Sequence, residues 1–137
     1  MRKLLIALFS GAMLTATASA EDVKIGIILG FTGPIESLTP DMAAGAELAI
    51  AEVNGGGKFM GGSKVTGIRG DSTCVDSAAA QATAERLVTS DKVNAIMGAD
   101  CSGVTGAILA NVAMANGVVM ISPSATSPGL STAEDNG

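Results

Sequence analysis

The sequence predicts an α/β fold built on a doubly wound parallel sheet, and three observations carry that expectation. From Glu21 onward, short apolar runs bounded by glycine alternate with longer stretches of helical spacing, as repeated βαβ units require. The runs are rich in Val and Ile and nearly continuous in apolar character, the mark of strands buried on both faces. Aromatic residues make up only 2% of a chain that is 47% apolar, so a core must come from Ala, Val, Ile, Leu and Met. Such small side chains suit helices packed closely on a sheet, and 137 residues leave room for one domain.

Four strands and three helices are expected. The strands fall at Val23 to Leu29, Lys64 to Arg69, Val93 to Met97 and Val118 to Ile121. After the first, Thr39 is the expected cap of a helix with Pro40 and Asp41 in its first turn; Met42, Ala46, Ala49, Ile50 and Val53 line one face, and Gly55 stops it. Asn54 to Gly62 then reads as a glycine-rich loop. The second helix spans Asp76 to Thr89, with Asp76 as cap and Ala80, Ala84, Leu87 and Val88 as its buried stripe. The third runs from Gly103 to Asn116 behind a cap at Ser102, buries Val104, Ile108 and Val112, and ends at Gly117, where a left-handed residue is needed. Right-handed crossovers would unite the strands in one parallel sheet with helices on both faces, and ligands of such sheets sit beyond the carboxyl ends of the strands. The polar tail from Ser131 leaves the last strand without a following crossover helix.

The first twenty residues read as a secretory signal: Arg2 and Lys3, an apolar stretch from Leu4 to about Leu14, then Ala18-Ser19-Ala20 as the cleavage site. Ser10 and Gly11 interrupt that stretch, which is shorter than the roughly 20 residues of a membrane span. No Cys follows the cleavage site to carry a lipid, so the expected location is free solution in the periplasm. Eight basic residues less Arg2 and Lys3 leave six against thirteen acidic ones, a mature net charge of about −7 that argues against nucleic acid as a partner. The absence of His removes the commonest general base and a common metal ligand. No catalytic residue, metal or cofactor is expected.

The loops after the strands hold the remaining polar signals. Cys74 and Cys101 follow the second and third strands at one edge of the sheet, close enough in the expected topology to bond. Two buried thiols or a redox pair are the alternatives, the latter opposed by a spacing far from C-x-x-C. Ser102 stands where the third strand turns into its helix, either as a plain N-cap or as part of a carboxylate site backed by the helix's positive end. Ser122-Pro123-Ser124-Ala125-Thr126-Ser127-Pro128 is a hydroxyl-rich turn at the same edge, with Ser124 and Thr126 able to hydrogen-bond a small polar ligand. Gly26, Gly30 and Gly33 lack the spacing of a nucleotide loop. Asp71 and Asp100 end strands at this edge and read more readily as solvated loop acids than as paired carboxylates or a metal site.

The segments DVKIGIILGFTGP, GDSTCVDSAAA, ADCSGVT and VVMISPSATSPGL, in that order across Glu21 to Thr132, resemble the periplasmic leucine/isoleucine/valine-type binding proteins of ABC importers. The resemblance implies a type I periplasmic binding fold, two α/β lobes on a hinge that close around an amino acid. Residues 21–137 would then be the N-terminal part of the first lobe, with the second lobe outside this sequence. It also implies a disulfide between Cys74 and Cys101 and ligand-binding roles for Ser102, Ser124 and Thr126. Ser102 and Thr126 would hold the ligand carboxylate, and the Ser124 backbone with the Thr126 hydroxyl would help hold the ammonium. The implied partners are a branched-chain or related amino acid and the membrane permease of the importer, the full-length protein being a monomer. The sequence departs from the family near Leu38, where relatives often place an aromatic residue against the ligand. A sensory amino-acid or amide receptor is the alternative reading, and an exported α/β enzyme is opposed by the lack of a base and nucleophile pair. Alone, residues 21–137 are expected to bind weakly and to associate through the unpaired last strand.

Overall fold

The computed structural model describes residues 21–135, so the expected signal segment lies outside the described residues. Its strands are β1 (Val23–Leu29), β2 (Val65–Asp71), β3 (Ala95–Gly98) and β4 (Val119–Ile121), all parallel, in the order β2-β1-β3-β4. Helix α1 (Thr39–Gly56) follows β1, α2 (Ser77–Thr89) follows β2, and α3 (Ser102–Ile108) follows β3. The helical path continues through a π segment (Leu109–Ala113) into α4 (Met114–Asn116), and a 3-10 turn (Pro128–Thr132) follows β4.

Consecutive residues of β1 point to opposite faces, and both faces are covered. Ile28 packs with Ile96 of β3 against Ala80, Ala84, Leu87 and Val88 of α2 and Val104 and Ile108 of α3. Ile27 and Leu29 pack on the other face against Ala43, with Met42, Ala46 and Ile50 of α1 beside them. Each fully buried Ile or Leu in these layers contributes roughly 1.5–3 kcal/mol. Two glycines of β2 let the helices come close. A Cβ on Gly67 would stand 3.0 Å from Ile50 Cδ1 of α1, and one on Gly70 would stand 2.6 Å from Thr83 Cγ2 of α2.

Only the central strands have both faces buried, which corrects the uniform expectation. In β4, an edge strand, Val119 and Ile121 are 64% and 70% exposed, because no neighbour pairs with its outer side among the described residues. In β2, at the other edge, Thr66 and Arg69 face solvent.

Helix α2 forms as the sequence predicts. The Asp76 side chain accepts the N–H groups of Ala78 and Ala79 at 2.9 and 3.0 Å, and the expected stripe is buried. Helix α1 is phased differently. Thr39 is its first residue rather than its cap, fully buried, with its hydroxyl donating 3.1 Å to the Gly30 carbonyl at the end of β1. That anchor turns the row Thr39, Ala43, Ala46, Ile50 to the sheet and leaves Ala49 and Val53 exposed. The helix also passes Gly55 and stops at Gly57, whose φ of 61° is left-handed. Asn54 then reaches across, its amide pairing with both the N–H and the carbonyl of Val65 at 2.8 Å, which defines where β2 begins.

The third helix departs most from expectation. Cys101, not Ser102, occupies the N-cap, and it supplies no side-chain cap bond. In the π segment the Met114 N–H reaches Leu109 O, so Val112 and Ala113 both turn inward at 2% and 1% exposure. Gly117 closes α4 in the left-handed conformation, φ 62°, as the sequence predicts.

Candidate ligand site at the carboxyl edge

The chain winds from β1 outward to β2, then back past β1 to β3, so the strand order switches direction beside β1. The loops after β1, β2, β3 and β4 meet at the carboxyl edge there, the usual ligand position in open parallel sheets. Hydrogen bonds and one covalent link hold these loops to one another.

Cys74 and Cys101 form a disulfide, their Cα atoms 5.2 Å apart, which ties the loop after β2 to the loop after β3. Asp71, at the end of β2, braces the loop after β1. Its carboxylate accepts the Thr32 hydroxyl at 2.6 Å and the Thr73 N–H at 2.8 Å. Partial burial pushes the Asp71 pKa up, but the bond from the Thr32 hydroxyl and the N–H groups of Thr73, Thr32 and Phe31 outweigh it and hold the carboxyl below its ordinary value.

Asp100 is 3% exposed, and this corrects the expectation of a solvated loop acid. Its Oδ2 accepts the Gly30 N–H at 2.8 Å, and its Oδ1 accepts the Ser72 hydroxyl at 3.3 Å and the Cys101 N–H at 3.0 Å. A buried carboxylate is tolerated here because backbone and hydroxyl donors replace its water. Asp71, half-buried and likewise bonded, is not a free loop acid either.

The three residues singled out in the sequence converge. Ser102 Oγ accepts the N–H groups of Thr126 and Ser127 at 3.0 and 3.1 Å, which is why it does not cap its own helix. The Ser102 hydroxyl proton remains available to a further acceptor. Ser124 turns its hydroxyl back onto the Asp100 carbonyl and donates to it at 2.9 Å. Ser122, one strand end away, accepts the Ala125 N–H at 2.8 Å and donates to the Ala99 carbonyl, folding the turn that presents Thr126. Among the described residues, no donor or acceptor engages the Thr126 hydroxyl.

The N–H groups of Ser102, Gly103 and Val104 open the helix and have no intrahelical partner. Together with the Ser102 and Thr126 hydroxyls they make a patch of donors suited to an anion, without any cation. Leu38 lies 61% exposed ahead of α1. Sequence reasoning read Asp100 as a solvated acid, gave Ser122 no role of its own within the hydroxyl-rich turn, and missed Ser72. Their signal was a polar residue at each strand end, which ordinary turns share. A recess of about 610 Å³ runs along β4 between Leu109, Met114, Val119 and Leu130 and is bordered by Ser122 and Ala125 of the same turn. It is mainly apolar, and Ser102, Ser124 and Thr126 do not line it.

Leu/Ile/Val-binding protein homolog 7 of Brucella melitensis biotype 1 is 38% identical over 104 residues, covering 75% of this chain and 25% of that protein. The Leu/Ile/Val-binding protein of Escherichia coli K12 is 32% identical over 113 residues, 82% of this chain and 30% of that protein. Among solved structures, the branched-chain amino acid transporter substrate binding protein LivJ of Streptococcus pneumoniae, in complex with isoleucine, superposes with a TM-score of 0.73. It is 35% identical and covers 81% of this chain and 31% of that one. The chain thus spans between a quarter and a third of the length of these relatives. The sequence pattern of the periplasmic binding proteins matches residues 22–136, and this chain, with its four parallel strands and flanking helices, belongs to that family.

Proposed function

We propose that this chain is the N-terminal part of the first lobe of a solute-binding protein that captures branched-chain or related amino acids for an ABC importer. Residues 1–20 would direct export to the periplasm and be removed. Residues 21–137 would supply one wall of a cleft that a second lobe closes, and the closed protein, a monomer, would dock on the importer's permease without chemical change to the ligand. The observation that carries this reading is the junction of Ser102 with the Ser124 to Thr126 turn. Two hydroxyls and the helix's opening N–H groups satisfy a carboxylate, and the Ser124 carbonyl with the Thr126 hydroxyl accepts from an ammonium. An α-amino acid carries both groups on one carbon, as that patch requires. The relatives' names and the isoleucine in LivJ support the ligand class.

Calorimetric titration of the intact protein with L-leucine, L-isoleucine and L-valine tests the proposal. At least one binds, and Ser102→Ala and Thr126→Ala each weaken it by about tenfold or more, the equivalent of a hydrogen bond to a charged group. Binding unchanged in both variants, or no binding by the parent, defeats the reading.

A further inference from the structure

We infer that Asp100 is a positioning residue of the amino-acid site, its buried carboxylate fixing the backbone from which the Ser124 to Thr126 turn hangs. The inference rests on the ligand reading above and adds a residue that does not itself touch the ligand. Three loops meet on this one side chain and its carbonyl. Gly30 ends the approach from β1 and donates to Oδ2, Ser72 follows β2 and donates to Oδ1, and Ser124 follows β4 and donates to the backbone oxygen. The Cys101 N–H adds a fourth bond, and Cys101 is also held by the disulfide immediately before Ser102. The Asp100 carbonyl, which anchors Ser124, therefore has its place set from both sides, by the carboxylate and by the covalent link.

The carboxylate is chemically necessary to this arrangement. Gly30 N–H and Cys101 N–H are fixed donors aimed at different oxygens of the same group. An amide has one acceptor oxygen and one NH2, so an asparagine would set a donor against one of the two N–H groups. At 3% exposure no water relieves that conflict, and the backbone must shift.

The test uses the intact protein, with L-leucine and 4-methylpentanoate as probes, titrated against the parent, Asp100→Asn, Ser124→Ala and the double variant. 4-Methylpentanoate keeps the carboxylate and side chain of leucine and lacks the ammonium that the Ser124 carbonyl and the Thr126 hydroxyl hold. In Asp100→Asn the leucine Kd rises by about tenfold, the cost of one misplaced hydrogen bond, while 4-methylpentanoate loses less, so the preference for the ammonium-bearing ligand shrinks. A variant that is merely less stable weakens both ligands by the same factor. Ser124→Ala keeps the backbone carbonyl and removes only the side-chain tie to Asp100, so it shifts the preference in the same direction. The double variant loses less than the two single losses combined, because both act on one link. Equal weakening of both probes, or strictly additive losses, overturns the inference while the amino-acid reading stands. A parent that binds no amino acid overturns both. Should Asp100→Asn fail to fold, Ser124→Ala decides, and an unchanged preference there overturns the assignment.

Discussion

Removing the Cys74–Cys101 bridge is the perturbation whose size follows most directly from the structure. The bonded residues are 27 apart in sequence, and closing a loop of that length removes about 12 cal/mol/K of chain entropy from the unfolded state. At 25 °C this corresponds to about 3.5 kcal/mol of stability. Cys74→Ala/Cys101→Ala removes the link with little added polarity, although Cys101 also packs against the core beside Val104. Urea unfolding of the intact protein followed by circular dichroism reads the loss. With a slope of about 2 kcal/mol/M, the midpoint falls by somewhat under 2 M. The parent with a strong reductant should unfold where the double variant does, and the variant should not respond to reductant. Because Cys101 precedes Ser102 directly, the double variant should also bind leucine more weakly. A midpoint shift worth less than about 1 kcal/mol, or a reduced parent as stable as the oxidised one, would refute the loop-entropy argument.

Three further outcomes follow from packing and charge. Leu87→Ala empties a fully buried position between α2 and β1 and should cost about 2–5 kcal/mol in the same unfolding measurement. Asp76→Ala removes the acceptor for two N–H groups at the start of α2 and should cost about 1 kcal/mol, with Asp76→Ser recovering most of it. Asp71 is held below its ordinary value of 3.8, so between that value and the lower folded one the unfolded chain binds more protons. Its contribution is present above about pH 4 and is lost as pH falls through the folded value. Asp71→Asn should therefore flatten the acid limb of a stability–pH profile and change its slope little near neutrality.

Much of the fold is legible along the chain because its signals are local. The Asp76 cap and the Ala80, Ala84, Leu87, Val88 stripe need only helical spacing, and Gly117 needs only a left-handed φ at a helix end. The phase of α1 is not local. Both the row containing Ala43 and the row containing Val53 are apolar enough to face a sheet, and the Thr39 hydroxyl bond to Gly30 selects the first. The π segment is similar, since no residue from Leu109 to Ala113 marks a wider turn and only the core contacts of Val112 and Ala113 call for one.

At the site, Ser102, Ser124 and Thr126 share an edge because parallel strands direct every strand-end loop to the same side, and the order of elements alone dictates that. Their mutual arrangement has another origin. Whether Ser102 caps its own helix or receives the N–H groups of Thr126 and Ser127 depends on the loop after β4 folding back 24 and 25 residues later. Asp100 reads in sequence like any aspartate at a turn, and it becomes a buried junction only when Gly30 and Ser72, 70 and 28 residues away, close over it. The sequence by itself determined the βαβ order, the apolar layers and the edge where polar loops gather, since these depend on periodicity and on short capping and turn signals. Tertiary structure alone decided the phase of α1, the partner of Ser102 and the burial of Asp100, since each is a choice between hydrogen-bond partners that are distant along the chain.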